Sequence, residues 1–365
     1  MNRRTFLKSG LSAALSTPLL AAVRQEKFDA AAAVLAKATA DGRLQAASLS
    51  VRHGSDVFSR PFGAARSSDA PFLLASITKT LTAAALMTLY DRDKFRLDDP
   101  VVKFIPEFST APRNRITLAQ LLTHVSGLPD QLPENQALRK SHAGLPQFVE
   151  AAVRTPLLFE PGARYSYSSM GILLVSEVAR RITGTDFPKF VDEAVFQPLE
   201  MKHAAMGLGR FKPEEIVLNQ TEKAAPESGA GDPTAKEWDW NSPYWRALGA
   251  PWGTAHCSAP DLARFFAEFL HPTGRLMKPD TARLMVKNHN PEGFAPRGLG
   301  FQAGSRSGSP GCSEKTFGHS GSSGTLAWAD PATDTVCVVL TTLPGAAASP
   351  HPLRVASDLV AKAVS

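Results

Sequence analysis

Residues 324–343 read "GTLAWADPATDTVCVVLTTL". Two runs rich in β-branched and aromatic residues flank a break at Asp330-Pro331, which predicts two adjacent antiparallel strands. Strand material of the same kind lies near the other end of the chain. "LQAASLSVRHGSDVFSRPFG" (44–63) alternates about His53-Gly54-Ser55, the pattern of a β-hairpin. Each region has a helical neighbour. "EKFDAAAAVLAKATADG" (26–42) reads as an amphipathic helix stopped by Gly42, and "PLRVASDLVAKAV" (352–364) closes the chain.

Between about 100 and 250 the signals are helical and broken by Pro and Gly: "ITLAQLLTHVSGL", "LPQFVEAAVR", "SSMGILLVSEVARRITG" and "FPKFVDEAVFQPL". Residues 208–236 are polar and rich in Gly, Pro and Glu, which predicts an exposed loop. "APDLARFFAEFLH" restores a helix, with Pro260 and Asp261 suited to its first turn. The economical fold class is α+β. The N- and C-terminal strands form one antiparallel sheet flanked by helices, and a mostly helical domain is inserted in the middle. The expected division is 23–75 with 253–365 for the sheet domain and 76–252 for the helical domain, with an active site between them.

Composition narrows the class. The 365 residues are 43% hydrophobic and 20% charged, ordinary for a soluble globular protein. No apolar run beyond the N-terminus has the length of a membrane span. The first residues, "MNRRTFLKSGLSAALSTPLLAAV", place Arg3 and Arg4 ahead of a moderately apolar stretch that ends in small residues. This is the pattern of a twin-arginine export signal over 1–22, with a plain N-terminal helix as the alternative, and it predicts a periplasmic or otherwise exported protein. Removing that segment takes away Arg3, Arg4 and Lys8 and no acid, so the formal charge falls from +6 to +3. Near neutrality and without basic clusters, nothing argues for a nucleic-acid partner. Cys257, Cys312 and Cys337 have no metal-ligand spacing and allow at most one disulfide.

One helix carries an anomaly. Lys79 is the only charge in the sixteen residues "ASITKTLTAAALMTLY" from Ala75 to Tyr90. An unpaired buried ammonium is costly, so it shifts its pKa or finds a partner. Ser76 lies one helical turn before it, on the same face. A neutral lysine beside a serine at a helix start, where free N–H groups and the helix dipole favour negative charge, suits attack on a carbonyl. Ser-x-x-Lys occurs once in the chain. The plain alternative is a capping Ser76 with Lys79 snorkelling to solvent.

The surrounding sequence favours chemistry. "FLLASITKTLTAAALMTLYDRDKFRLDDPVVKFIPEF" and "ITLAQLLTHVSGLPD", then "FEPGARYSYSSMGILLVSEVARRITG", "FQPLEMKHAAM", "WGTAHCSAPDLARFFAEFL", "GLGF" and "FGHSGSSGTLAWADP", run in one order along the chain. Together they closely resemble the serine β-lactamase-like superfamily: class C β-lactamases, D-alanyl-D-alanine carboxypeptidases and family VIII carboxylesterases. The resemblance covers most of the chain after residue 22, with a gap across 208–236. It implies a β-lactamase/transpeptidase-like fold and no cofactor or metal.

The same resemblance assigns roles. Ser76 would be the nucleophile and Lys79 its base. Tyr167-Ser168-Ser169 aligns with the family's Tyr-x-Asn, so Tyr167 would shuttle the proton, its phenol made more acidic by Lys79, unless it is simply a buried structural tyrosine. Ser169 replaces the asparagine and offers one hydroxyl donor. His319-Ser320-Gly321 stands where Lys-Thr-Gly is usual. His319 would donate a hydrogen bond and tune Tyr167 while only partly charged at neutral pH, although a purely structural histidine is the competing reading. Gly321 would let substrate approach the backbone, and the N–H groups of Ser322 and Ser76 would receive the oxyanion. His124 reads as scaffold. Trp238, Trp240, Trp245 and Trp252, close to Tyr244, are core or the wall of an acyl pocket.

These departures weaken a lactam carboxylate anchor more than acyl transfer itself. The expected function is an exported serine hydrolase that acts through an acyl-enzyme on carboxylic esters. A peptidoglycan peptidase, a D-alanyl-D-alanine carboxypeptidase or a weak β-lactamase is the alternative. A non-catalytic protein that holds a cell-wall ligand is the reading from another class. Its partners would thus be a small-molecule ester, a peptide or a lactam. The chain lacks the Gly-x-Ser-x-Gly of α/β-hydrolases and the His-Glu-x-x-His of metallohydrolases.

Overall fold

In the computed structural model of the chain, residues 26–365 are described, so the export segment predicted over 1–22 lies outside them. In chain order, helix α1 (Asp29–Ala40) leads into the hairpin β1 (Ala46–His53) and β2 (Asp56–Gly63), the short strand β3 (Phe72–Leu73) and the buried helix α2 (Thr78–Tyr90). A helical stretch follows: α3 (Leu118–Leu122), α4 (Asn135–Lys140), α5 (Leu145–Arg154), α6 (Ser169–Thr183) and α7 (Phe187–Val191). Next come β4 (Ala204–Met206), α8 (Pro243–Ala247), β5 (Ala255–Cys257), α9 (Ala259–Leu270) and α10 (Pro279–Val286). The chain ends with β6 (Gln302–Ala303), β7 (Phe317–Gly321), β8 (Thr325–Asp330), β9 (Thr335–Thr341) and α11 (Pro352–Val364).

The predicted sheet forms, in the order β2-β1-β9-β8-β7-β6. The two ends of the chain meet at its centre, where β1 runs antiparallel to β9 with Val51 opposite Cys337 and Ala47 opposite Thr341. Every residue of β9 is buried, which explains why its sequence shows no polar face. Val336, Val338 and Leu340 enter the large core shared with α9 and the helical segment. Cys337 and Val339 point the other way, into a second core with Leu35 of α1 and Ala356 and Val360 of α11. The three cysteines are free.

Several local expectations are corrected. The helix expected to begin at Ser76 opens with a tight 3-10 turn, Ala75–Ile77, before α2. The stretch 116–128 is helical only over α3: Thr117 and Gln120 form a capping box that starts it, and His124, at φ +62°, lies beyond its end. A second sheet, β3-β5-β4, was not foreseen, because strands of two or three residues are too short to show alternation. Residues 208–236 form the mostly exposed, irregular segment that their composition implies, with a few buried positions. Gln220 is buried, its Oε1 accepting from Thr342 Oγ1 at 2.9 Å and its Nε2 donating to Arg43 O at 3.2 Å. Its neighbours Lys223, Glu227 and Ser228 line a cleft of about 720 Å³ that also reaches Ser76.

Among the described residues, no helix is long and apolar enough to cross a membrane.

Candidate active site

Helix α2 is buried along almost its whole length, and its polar groups are paired internally. Thr82 Oγ1 donates to Pro251 O at 2.7 Å, and Thr78 Oγ1 accepts the Ala255 N–H at 3.1 Å, which fastens the helix to the segment that leads into β5. Ser76 sits just before it. The chain reaches Ser76 through β3, where Leu74 N–H donates to Ala255 O at 2.8 Å. Two hydroxyls from the far end of the sequence clamp the same residues: Ser323 Oγ donates to Leu73 O at 2.7 Å and Thr325 Oγ1 to Leu74 O at 2.9 Å. Ala75 is thereby held at φ +46°, a left-handed conformation that a residue with a Cβ rarely adopts. Such strain persists only where the surroundings over-determine it.

Gly321 belongs to this clamp. A Cβ there would stand 2.2 Å from Leu74 O and 2.2 Å from Thr325 Oγ1, so the glycine allows β7 to press against the turn that carries Ser76. Gly321→Ala is expected to cost about 2 kcal/mol of stability by overpacking and to lower turnover as well. Urea unfolding checks the first; a midpoint unmoved from wild type would mean that β7 moves away without cost.

Lys79 is fully buried, with Nζ 2.9 Å from Ser76 Oγ and donating to Trp252 O at 3.0 Å. Burial lowers its pKa to about 7; Asp130 pulls it up and Arg297 pushes it down. The amine also lies 4.9 Å from the centre of the Tyr167 ring. Tyr167 differs from its expected state: burial raises its pKa, so the phenol keeps its proton and is not made more acidic by Lys79. Ser76 lies against the hydroxyl and opposes that rise, although the two make no hydrogen bond of ordinary geometry.

His319 is likewise neutral rather than partly charged, its pKa held well below the usual value by burial first and then by Arg297 and Lys79. Its Nδ1 lies 2.8 Å from Ser320 O, so that nitrogen carries the proton and donates to the backbone of its own strand. Ser169 also has its proton committed: Oγ donates to Asp130 Oδ1 at 2.5 Å, and the Ser169 N–H donates to the same oxygen at 2.9 Å. Ser76, Tyr167, Ser169, Gly321 and Ser322 all line one cleft of about 720 Å³, while His319 lies behind Tyr167 with ring centres 6.2 Å apart. Trp240, Trp245 and Trp252 line the cleft too; Trp238 does not.

Two groups, Asp130 and Arg297, carry more than their sequence context suggested. Asp130, the last residue of "GLPD" beyond α3, accepts both Ser169 hydrogen bonds and raises the Lys79 pKa. Arg297 donates from Nη2 to Tyr165 Oη at 2.5 Å and lies 5.3 Å from the Tyr167 ring centre. His124 is buried 4.6 Å from the Tyr167 ring, its Nδ1 accepting the Ser168 N–H at 3.2 Å, which fits the scaffold role expected for it. An amine with its pKa near 7 against a serine hydroxyl, beside a protonated phenol in a cleft of substrate size, can pass a proton from that hydroxyl to a leaving group.

The chain resembles known proteins along most of its length. The family model described as Beta-lactamase matches residues 31–362. An Escherichia coli K12 protein named as a candidate D-alanyl-D-alanine carboxypeptidase is 25% identical over 340 residues, 81% of this chain and 77% of that protein. Among solved structures, EstCE1, a hydrolase with promiscuous acyltransferase activity, superposes with a TM-score of 0.73 at 20% identity, covering 92% of this chain and 100% of its own. The D-amino acid amidase of Ochrobactrum anthropi SV3 gives 0.75 at 22% identity, with 93% and 99% covered. These structural likenesses establish the fold.

Proposed function

Because the chain belongs to the beta-lactamase family, whose members are serine acyl-transferring hydrolases acting on small molecules or peptides, we propose that it is an exported hydrolase of carboxylic esters working through an acyl-enzyme on Ser76. The observation that carries this reading is the fully buried Lys79 amine, 2.9 Å from Ser76 Oγ and lowered to about pKa 7. A binding protein has no use for a desolvated amine against a serine.

In this reading Lys79 takes the Ser76 proton as Oγ attacks the ester carbonyl. The oxyanion is received by the N–H groups of Ser76 and Ser322. As the carbonyl–alkoxide bond breaks, Tyr167 gives its proton to the leaving oxygen and is reprotonated from Lys79. Water then attacks the acyl-enzyme by the reverse relay and frees the acid. The ester preference rests on His319 and Ser169. A neutral imidazole and a hydroxyl already committed to Asp130 leave this wall without the cation and amide that would hold a lactam. The Escherichia coli relative's name favours a peptidase as the second reading.

The test is acid-quenched mass spectrometry of the full chain during turnover of p-nitrophenyl butyrate. A butyryl adduct on the Ser76 peptide is expected. Steady turnover with the adduct on any other residue would reject Ser76 as the nucleophile.

A further inference from the structure

The cleft holds a second buried cation that the proposed acyl transfer leaves idle. Arg139, near the end of α4, is 4% exposed, yet it lines the same cleft as Ser76. Its guanidinium carbon lies 3.7 Å from the centre of the Trp245 ring. Trp245 in turn meets Trp252 edge-on with ring centres 6.2 Å apart, and Trp252 O accepts from Lys79. The arginine is thus two aromatic rings from the catalytic amine.

Its pairing is incomplete. Nε and Nη1 are buried with no hydrogen-bond partner. The face of Trp245 offsets part of the cost of burying the charge, but a ring face leaves the in-plane N–H groups unanswered. Removing a guanidinium from water without a hydrogen-bonded counter-ion is expensive, so a group retained in this state fits a site completed by something else. The rest of the local charge points the same way. Lys223 and Arg354 also line the cleft, against Glu227 and an Asp130 whose Oδ1 already accepts twice from Ser169.

We infer that Arg139 forms an anion-binding subsite in the wall of the cleft, and that the substrate carries a carboxylate held there while its scissile carbonyl lies at Ser76. The planar guanidinium matches a carboxylate better than it matches any neutral acceptor. The subsite lies on the helical side of the cleft, across the tryptophans from His319. The substrate class becomes a monoester or amide of a dicarboxylic acid, or an acyl compound whose leaving group is acidic. This inference rests on the acyl-transfer reading for its substrate, but binding at Arg139 can be measured apart from turnover.

Two measurements on the full chain decide it. Thermal unfolding of the wild type is followed with glutarate and with glutaramide, its neutral counterpart. Glutarate alone is expected to raise Tm, with the rise lost in Arg139→Met and partly kept in Arg139→Lys. Equal effects of the two compounds on the wild type, or no effect of either, would overturn the subsite even if Arg139→Met failed to fold. In parallel, kcat/KM is compared for mono-p-nitrophenyl glutarate and for the same ester with its free acid methylated. The ratio of the two is expected to fall roughly tenfold in Arg139→Met, the scale of one charge-assisted hydrogen-bonded contact. An unchanged ratio counts against the subsite. Absence of turnover with both esters in the wild type would reject the esterase reading, while the glutarate shift would still report on Arg139.

Discussion

Ser76→Ala is expected to reduce kcat for p-nitrophenyl butyrate by about 10⁴-fold or more, the scale of removing a nucleophile from a concerted catalytic unit. The argument is geometric. Lys79 Nζ is 2.9 Å from Ser76 Oγ and 4.9 Å from the centre of the Tyr167 ring, so both proton-transfer groups are arranged around an attack that needs that oxygen. KM should change little, because the cleft walls are untouched. The fold should hold, since Ser76 contributes no core packing. Stopped assays on purified protein, with circular dichroism as the folding control, check both. A residual rate within tenfold of wild type would mean that another group attacks this ester.

Lys79→Met should lower kcat by about 10³-fold, within the range general-base catalysis contributes. It should also change the pH profile. Burial holds Lys79 at about 7, and only the neutral amine can accept the serine proton. In the wild type, kcat/KM should therefore rise with pH up to about 7 and level off above it. Burial raises the Tyr167 pKa, so the phenol remains a proton donor across that plateau. The acidic limb should vanish in Lys79→Met, leaving a low and flatter profile. Stability moves oppositely to activity, because a methionine of similar length replaces a desolvated amine in an apolar helix and Tm should be no lower than wild type. A wild-type profile flat between pH 5 and 8 would remove Lys79 as the titrating base.

The terminal sheet was legible because β1, β2, β8 and β9 are long enough for pattern and turn chemistry to speak together, as in Asp330-Pro331 and the hairpin at Gly54. Ser76, Lys79 and Tyr167 were legible because their spacing is local or fixed by "FEPG", and the structure brings them together. Protonation was not. Whether Tyr167 gains or loses acidity depends on how deeply it is buried and on whether Lys79 carries charge, and neither is a property of the motif. The same holds for His319, which is kept neutral by burial first and then by Arg297 and Lys79, all set by segments distant in sequence. Arg139 left no signal at all. In "NQALRK" it reads as an ordinary basic residue at a helix end, and only the packing of α4 against Trp245 sinks it into the cleft.

The hydroxyls of Ser323 and Thr325 that grip Leu73 and Leu74 join parts of the chain some 250 residues apart. During synthesis, the nucleophile turn leaves the ribosome long before the residues that bend it into shape. Until β7 and β8 have emerged, the two hydroxyl clamps that help hold Ala75 in its left-handed state are missing, and the contacts with Ala255 are left to tie the turn. In the proposed mechanism, the acylating serine is thus assembled only when the last sixth of the chain is made.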